Sequence, residues 1–351
     1  MMKEKEVLTR INDELEQTLR SVPFIEIGQP VLEASFAGVR VDLLVDVKVE
    51  NSLLKVLVEV KSLGEPRLIR SAIQQLKEYV GQVKDAYAVV AAPYISYDTA
   101  RLCKQNNVGY IDLAGNCFLN FDKVYIERKN YPNPVVEKRR VRSIFSPKSS
   151  RILRVLFNSP KRSWQVQELA KEANVSLGLT SRIKDRLLDL EYAAEKDKGI
   201  ILNRPGDLLE QWVSNYSFRK NRVYDYFSLD EPKELERRVA QYCQQRAILY
   251  ALTLFSGAAL VAPFARYTRG FVYIYRNIRE VAASLGLKEV SSGPNFSILE
   301  PYDEGVFYGS REIDNMKVTC DVQLYLDLIG YKGRGEESAK FLLEQRIKSQ
   351  W

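Results

Sequence analysis

Two apolar runs, VRVDLLVDVKV at residues 39–49 and LLKVLVEVKSL at residues 53–63, decide the fold of the first third of the chain. Valine and leucine dominate both runs, charged residues interrupt them, and the polar turn Glu50-Asn51-Ser52 separates them. Short β-branched runs on either side of a polar turn are typical of a β-hairpin. The sequence therefore predicts two adjacent antiparallel strands.

The expected register of this hairpin brings three charged side chains together. If the turn centres near Asn51 and Ser52, directly opposed residues have numbers that add up to about 103, which sets Asp42 opposite Lys61. Glu59 then lies across from Leu44, two places along. Because side chains alternate between the two faces of a strand, Asp42, Glu59 and Lys61 are expected to share one face.

Two carboxylates and an ammonium on an apolar hairpin are costly unless they are paired, solvated or functional. Phosphodiester hydrolysis explains these residue types. Asp42, Glu59 and the carbonyl of Val60 would hold Mg²⁺ or Mn²⁺, and Lys61 would orient the attacking water or stabilise the developing negative charge. The alternative is a salt-bridged edge hairpin with no catalytic role.

A predicted helix, from about residue 69 to 83, adds Gln75 and Tyr79 on one helical face, four residues apart. Hairpin, E-x-K and Q-x-x-x-Y in this order resemble the RecB-like branch of the PD-(D/E)XK nuclease superfamily. The resemblance implies that residues 1–130 form a PD-(D/E)XK nuclease-like domain. It also implies a catalytic set, if the site is active, of Asp42, Glu59, Lys61, Gln75 and Tyr79.

The element order in this segment is helix, two strands, helix, strand, helix and strand, which predicts an α/β fold with a mixed sheet and flanking helices. The first of these helices runs from Glu4 to Leu19. Its Glu14 or Glu16 would supply the additional acid that some nucleases of the superfamily carry there.

A basic linker follows at residues 131–147. The stretch from Lys138 to Arg162 contains nine basic residues and no acidic one. Such a run is often only a solvated surface. Its position directly before the next segment favours a surface that contacts phosphates.

Residues 148–217 are predicted to form a winged helix-turn-helix DNA-binding domain. Three helical patterns precede two strand-like runs around the turn Lys196-Asp197-Lys198-Gly199. The third helix, from Ser176 to Leu190, would lie in the major groove of double-stranded DNA. The alternative is a protein-interaction module. The candidate DNA-binding residues of the linker and this domain are Arg139, Arg140, Arg142, Lys148, Arg151, Lys161, Arg162, Ser176, Thr180, Ser181, Arg182, Lys184, Arg186, Lys196 and Lys198.

Residues 218–351 are predicted to form a C-terminal α/β or α+β domain, with no catalytic spacing that would indicate its role. Helices are expected at about 234–246, 277–285, 321–328 and 336–349, with strands at about 248–254, 271–275 and 295–299.

Composition narrows the functional classes. The 351-residue chain has a net charge of +7, which is compatible with a polyanionic partner. It contains no histidine, which excludes Ser-His-Asp catalysis and imidazole zinc sites, so any metal would be bound by oxygen. Four scattered cysteines and the lack of a long apolar stretch indicate a cytoplasmic protein with no membrane partner.

The whole chain resembles the AbiEi-type antitoxin and regulator family of type IV toxin–antitoxin systems. The resemblance rests on GYIDLAGN at residues 109–116, the winged helix, VQLYLDL at residues 322–328 and GRGEE at residues 333–337. It implies a DNA-binding repressor of its own operon, paired with a nucleotidyltransferase-like toxin, and it leaves a homodimer open.

Two other functions stay open at the level of sequence. In the simplest antitoxins of this family the winged helix is not placed centrally behind a nuclease-like domain. The alternative is therefore an active, magnesium-dependent DNA endonuclease of a phage-defence or restriction type, targeted by the winged helix. A third interpretation is a protein-binding adaptor that does not touch DNA.

Overall fold

The computed structural model describes residues 4–36, 38–133 and 144–351. The described residues up to 133, together with Asp189–Glu191, form a first compact unit, and the other described residues form a second. The first unit contains helices α1 (Glu4–Arg20), α2 (Pro66–Gln82) and α3 (Tyr97–Gln105). Its strands are β1 (Ile25–Ile27), β2 (Val31–Phe36), β3 (Val39–Val49), β4 (Ser52–Val60), β5 (Ala86–Ala92), β6 (Gly109–Asp112), β7 (Cys117–Phe121) and β8 (Val124–Arg128).

The strands of the first unit form one mixed sheet, in the order β1-β3-β4-β5-β6-β7-β8. Strand β2 also pairs with β3, along residues 39–44, on the edge away from β4. Strands β4, β5 and β6 run parallel, and the remaining pairs are antiparallel. The predicted mixed α/β fold is thus confirmed. The additional strands β1, β2, β7 and β8 extend it at its edges.

Side-chain alternation along the strands produces two apolar layers. Helix α1 buries Val7, Ile11 and Leu15 against one face of the sheet, which includes Val58 of β4. Helices α2 and α3 pack on the other face, which includes Leu57 of β4. The odd and even positions of β4 therefore belong to different cores.

The β3–β4 hairpin turns one residue earlier than the sequence predicts. Val49 pairs with Ser52 and Leu43 with Val58, so only Glu50 and Asn51 form the loop. Glu50 has a φ of 51°, and a left-handed residue in a two-residue loop fits the twist of the flanking strands. The expected pairing was wrong as a result. Continuing the observed register sets Asp42 opposite Glu59 instead of Lys61.

The second unit begins with helices α4 (Pro147–Asn158), α5 (Val166–Glu172) and α6 (Leu177–Asp189). The short hairpin of β9 (Ala193–Lys196) and β10 (Gly199–Leu202) follows, and Trp164 adds a single bridge to Ile200. The hairpin turns through Asp197 and Lys198, both with positive φ, as a tight two-residue turn requires. We call residues 147–202 the helix–hairpin segment.

The rest of the second unit is a seven-stranded sheet with helices, in the strand order β14-β11-β15-β13-β12-β17-β16. Its helices are α7 (Pro205–Asn215), α8 (Pro232–Gln245), α9 (Leu254–Val261), α10 (Ile278–Ser284), α11 (Asp321–Ile329) and α12 (Gly335–Leu342). Its strands are β11 (Arg222–Phe227), β12 (Tyr250–Leu252), β13 (Gly270–Ile274), β14 (Lys288–Glu289), β15 (Phe296–Glu300), β16 (Arg311–Ile313) and β17 (Met316–Val318). We call residues 222–347 the C-terminal sheet region.

Two arginines of helix α4 join the helix–hairpin segment to the C-terminal sheet region. Arg151 donates to both carboxylate oxygens of Asp303 at 2.8 Å and to Glu304 at 3.0 Å. Arg154 is buried and donates to the side-chain oxygen of Gln323 at 3.0 and 2.6 Å. Gln323 in turn donates to the buried Asp327 at 3.0 Å. These contacts hold helix α4 in one position on the sheet region.

Within the described ranges, no helix is long and apolar enough to cross a membrane.

The loop after β4 passes so close to the loop after β5 that only glycine fits at position 64. A Cβ atom there would lie 1.9 Å from the carbonyl oxygen of Tyr94. Because that atom belongs to the backbone, the loops must separate to admit a side chain. We expect Gly64→Ala to lower the free energy of unfolding by about 1–3 kcal/mol, measured by urea denaturation.

Gly81→Ala is the matched control for this loop. Gly81 lies in helix α2, and a Cβ there would meet nothing within 4 Å. Because alanine favours helix, this change should raise the free energy of unfolding by about 0.5–1 kcal/mol. Equal responses of the two variants would contradict the tight contact at Gly64.

Candidate functional site

Asp42 takes the place of a backbone acceptor where the β3–β4 ladder ends. The last pair of that ladder is Leu43 with Val58. Beyond it, the carboxylate oxygen Oδ2 of Asp42 accepts the backbone N–H of Val60 at 2.7 Å. This bond fixes the carboxylate beside the E-x-K sequence, as the sequence predicts for this residue set. We call Asp42, Glu59 and Lys61 the acid–lysine cluster.

Glu59 and Lys61 form an ion pair inside this cluster. The ammonium Nζ of Lys61 lies 2.7 Å from Oε1 of Glu59, whose residue is only 6% exposed. Burial raises the pKa of Glu59, and the negative charges of Asp42 and Glu4 add to this rise. The hydrogen bond and the charge of Lys61 act in the opposite direction. Burial is therefore the main reason why the Glu59 carboxyl group ionises less readily than usual.

Within helix α1, the negative charge of Glu4 contributes to the raised pKa of Glu59. The sequence suggested Glu14 or Glu16 as the additional acid of the cluster, and this stays a prediction. Glu16 forms a close ion pair with Arg20, one turn further along the helix. Glu4 stands at the first described turn of α1, where no spacing rule in the sequence singles it out.

Gln75 and Tyr79 belong to the helix that covers the same face of the sheet. The Gln75 side-chain amide donates to the Tyr79 hydroxyl at 2.9 Å, as their spacing predicts. Helix α2 packs on the face that carries Leu57. Glu59 and Lys61 follow Leu57 at two-residue steps, so alternation along the strand puts them on this face too.

The donor set of the cluster fits a hard divalent cation. Carboxylate oxygens of Asp42 and Glu59 are the ligands that Mg²⁺ and Mn²⁺ prefer. In an extended strand the N–H and C=O of one residue point to the same side, so the carbonyl of Val60 faces β3 and Asp42. In the part of the chain that the structure describes, no three acidic or cysteine side chains converge closely enough to form a metal site by themselves.

Several residues predicted to bind DNA have other roles or other positions. Arg139, Arg140 and Arg142 lie outside the described residues. Arg151 is 13% exposed at its side chain and engaged with Asp303, so its charge is already neutralised. Thr180 is fully buried and donates to the backbone oxygen of Ser176, so it faces the core instead of a base.

The other predicted DNA contacts reach the surface to different extents. Three are half-buried: Ser181, Lys184 and Arg186. Seven are exposed: Lys148, Lys161, Arg162, Ser176, Arg182, Lys196 and Lys198. The exposed residues Ser176 and Arg182 lie at the first turns of helix α6, the predicted recognition helix.

Local partners reduce the charge that some of these residues offer to a phosphate. The guanidinium of Arg162 stacks 3.7 Å from the Trp164 ring, which holds it in place. Lys184 lies 3.2 Å from Asp185. In the hairpin, the exposed acids Glu195 and Asp197 alternate with Lys196 and Lys198, so its tip carries no net charge.

The raised pKa of Glu59 makes stability depend on pH in a defined direction. A carboxyl group with a higher pKa when folded binds its proton more tightly in the folded state, so folding stability falls as pH rises above the ordinary value of 4.5. Glu59→Gln cannot titrate. We expect the stability of this variant relative to the parent to increase between about pH 4 and pH 7.

Thermal unfolding of the two proteins across this pH range checks the expectation. Glu26→Gln is the matched control, because Glu26 is exposed and pairs with Lys48 on the surface. The prediction would be contradicted if the stability of Glu59→Gln relative to the parent stayed constant, or decreased, as pH rises.

Comparison with known proteins bears on the C-terminal part of the chain. Residues 201–348 match the model of a family described as transcriptional regulator, AbiEi antitoxin, Type IV TA system. No curated protein and no solved structure matches the chain. The matched residues comprise the C-terminal sheet region and helix α7, so this part of the molecule is similar to the regulatory antitoxins of type IV toxin–antitoxin systems.

Proposed function

We propose that the chain is a DNA-binding transcriptional regulator of the antitoxin type, with a central winged helix that contacts double-stranded DNA. The family match at residues 201–348 carries the proposal. Its partner, beyond DNA, would be a nucleotidyltransferase-like toxin.

The geometry of the helix–hairpin segment supports the DNA-binding part of this proposal. Helices α4, α5 and α6 precede a hairpin that Trp164 extends by one bridge, an order typical of winged helices. Ser176 caps α6 through its hydroxyl, which accepts the N–H of Leu179 at 3.3 Å. The exposed first turns of α6 then offer Ser176 and Arg182 to the major groove.

The basic surface before α5 would supply phosphate contacts. Lys148 and Lys161 are exposed, and Arg162 is fixed on the Trp164 ring. A pre-ordered guanidinium loses little conformational entropy when it binds a phosphate. Each such contact releases counterions from DNA, so affinity should fall steeply as salt concentration rises.

A second candidate function is a metal-dependent DNA endonuclease, and the acid–lysine cluster favours it. The cluster holds two carboxylates, of Asp42 and Glu59, but only one ammonium, of Lys61, so a bound cation would balance its charge. In a PD-(D/E)XK nuclease site, Asp42, Glu59 and the Val60 carbonyl would hold Mg²⁺ or Mn²⁺. A bound ion of this kind would polarise the scissile phosphate and lower the pKa of a bound water molecule.

The protein's own groups would then act around the phosphate. Lys61 would donate a hydrogen bond to the oxygen on which negative charge develops. Gln75 and Tyr79, linked by their hydrogen bond, would position the phosphate from helix α2. On this reading, the enzyme is a phosphodiesterase that the winged helix brings to its target.

Arg182→Ala tests the regulator. Loss of a groove contact should weaken binding of a duplex carrying the chain's own promoter by about fivefold or more, measured by fluorescence anisotropy. Lys340→Ala removes the same charge from an exposed position on helix α12 and should leave affinity unchanged. A parent protein without affinity for this duplex at low salt would rule out the proposal.

Asp42→Asn and Lys61→Met test the nuclease. With supercoiled, branched and single-stranded DNA plus Mg²⁺ or Mn²⁺, the parent should nick at least one substrate, and both variants should lose this activity. Asp46→Asn is the control, because Asp46 lies on the same strand and pairs with Lys55 at 2.7 Å. If the parent does not cut any of these substrates, or if both variants still cut, the acid–lysine cluster has only a structural role and the nuclease hypothesis is wrong.

A further inference from the structure

The first unit also contains a concave site that is formed by residues outside the acid–lysine cluster. It has a volume of about 250 Å³ and opens where strands β5, β6 and β8 meet the start of helix α3. None of Asp42, Glu59 and Lys61 lines it. We call it the tyrosine pocket, after its lining residues Tyr94, Tyr97, Tyr110 and Tyr131.

Two of the four tyrosines of this pocket are exposed to solvent. Tyr97 is 79% exposed and Tyr131 is 49% exposed, whereas Tyr110 forms the buried floor. A single exposed aromatic residue is ordinary on a protein surface. The exposed Tyr97 and Tyr131 offer flat faces for a flat ligand, and stacking on such faces is how unpaired nucleic-acid bases are bound.

Positive charge surrounds the same cavity. Lys104 and Lys129 both pair with Glu127, at 2.7 and 3.4 Å, so two cations share one carboxylate. The hydrogen bonds from Lys104 and Tyr125, together with the charges of the two lysines, lower the pKa of Glu127 to about 2, so it stays ionised. Arg101 adds a third cation, which is 56% exposed at its side chain and forms a long ion pair of 3.8 Å with Asp98. The lining charges therefore favour an anionic ligand.

The walls of the pocket are fixed by buried hydrogen bonds. Asp112 accepts the backbone N–H of Ile95 at 3.0 Å and the side-chain amide of Asn116 at 2.9 Å. Asn116 accepts the N–H of Tyr131 at 2.9 Å. The close approach of Gly64 holds Tyr94 from the other side. A pocket that is already ordered loses little entropy when it binds a ligand.

We propose that the tyrosine pocket binds the base and phosphate of an unpaired nucleotide in a nucleic-acid strand. The base stacks against Tyr97 and Tyr131, and the phosphate lies against Arg101 and the lysines. Its volume is below the 300–1,000 Å³ or so of sites for larger ligands, which suits one base. Bases inside a duplex cannot reach such a site without leaving the stack. This activity is separate from groove binding by the winged helix.

The test measures single-strand and duplex binding separately. Full-length protein carrying Arg182→Ala, which weakens the proposed groove contact, is titrated into fluorescein-labelled oligothymidylate of about ten nucleotides, a length within the usual single-strand site sizes. Adding Tyr97→Ala or Arg101→Ala should weaken this binding about tenfold. In protein that keeps Arg182, Tyr97→Ala or Arg101→Ala should leave the affinity for a blunt hairpin duplex unchanged.

Two controls separate stacking and charge from folding defects. Tyr97→Phe keeps the ring and should retain single-strand affinity. Lys123→Ala removes one cation from the turn of the β7–β8 hairpin, at the end away from the pocket, and should also retain it. Unfolding midpoints of all variants are compared, because Tyr97 and Arg101 are exposed and their loss should not affect folding.

Several results would overturn the proposal. Tyr97→Ala and Arg101→Ala proteins that bind oligothymidylate as tightly as the parent would do so, as would equal losses for the duplex. An abasic strand bound as tightly as oligothymidylate would show a phosphate site without base stacking. Competition by thymidine monophosphate at concentrations comparable to the strand would assign the pocket to free nucleotides instead.

Discussion

The arrangement of the first unit depends on one fully buried carboxylate, Asp112. Its two oxygens accept backbone N–H groups of Ile95, Ala114 and Asn116, and the side-chain amide of Asn116, at 2.9–3.0 Å. Burial raises the pKa of Asp112, and these donors oppose that rise. Because an unpaired buried charge is expensive, the four donors must stay in place around it. The loop after β5 and the turn between β6 and β7 are thereby tied to one point.

Local signals made much of this fold predictable from sequence. Strand β5 ends at Ala92 because Pro93 follows an uninterrupted apolar run, and helix α3 begins where the Ser96 hydroxyl accepts the N–H of Thr99. In the sequence, the motif at residues 109–116 indicated only a resemblance to a family. That its residues Ala114 and Asn116 donate hydrogen bonds to Asp112 is known only from the structure. The hairpin register failed because Glu50 adopts a left-handed conformation that glutamate seldom takes.

Charge was harder to interpret than apolar pattern. Arg151 looked like part of a basic surface, yet its partner Asp303 is 152 positions further along the chain. No sequence window contains both residues. Thr180 lies on α6 as predicted, but its side chain faces the core and not the solvent. The orientation of the helix, which also buries Ile183 and Leu187, follows from packing that the sequence does not reveal. The acid–lysine cluster was found because all of its members lie on one hairpin.

The buried chain from Arg154 through Gln323 to Asp327 has a consequence for how this protein exchanges parts with others. Small protein modules are often treated as units that recombination can move between proteins. Here the first helix of the helix–hairpin segment carries a buried cation whose acceptor Gln323 belongs to the C-terminal sheet region. In a transplanted helix–hairpin segment Arg154 would keep its contacts to Ser150 of the same helix but lose Gln323, and a foreign segment would leave Gln323 without its donor. The helix–hairpin segment and the C-terminal sheet region therefore depend on each other for stability.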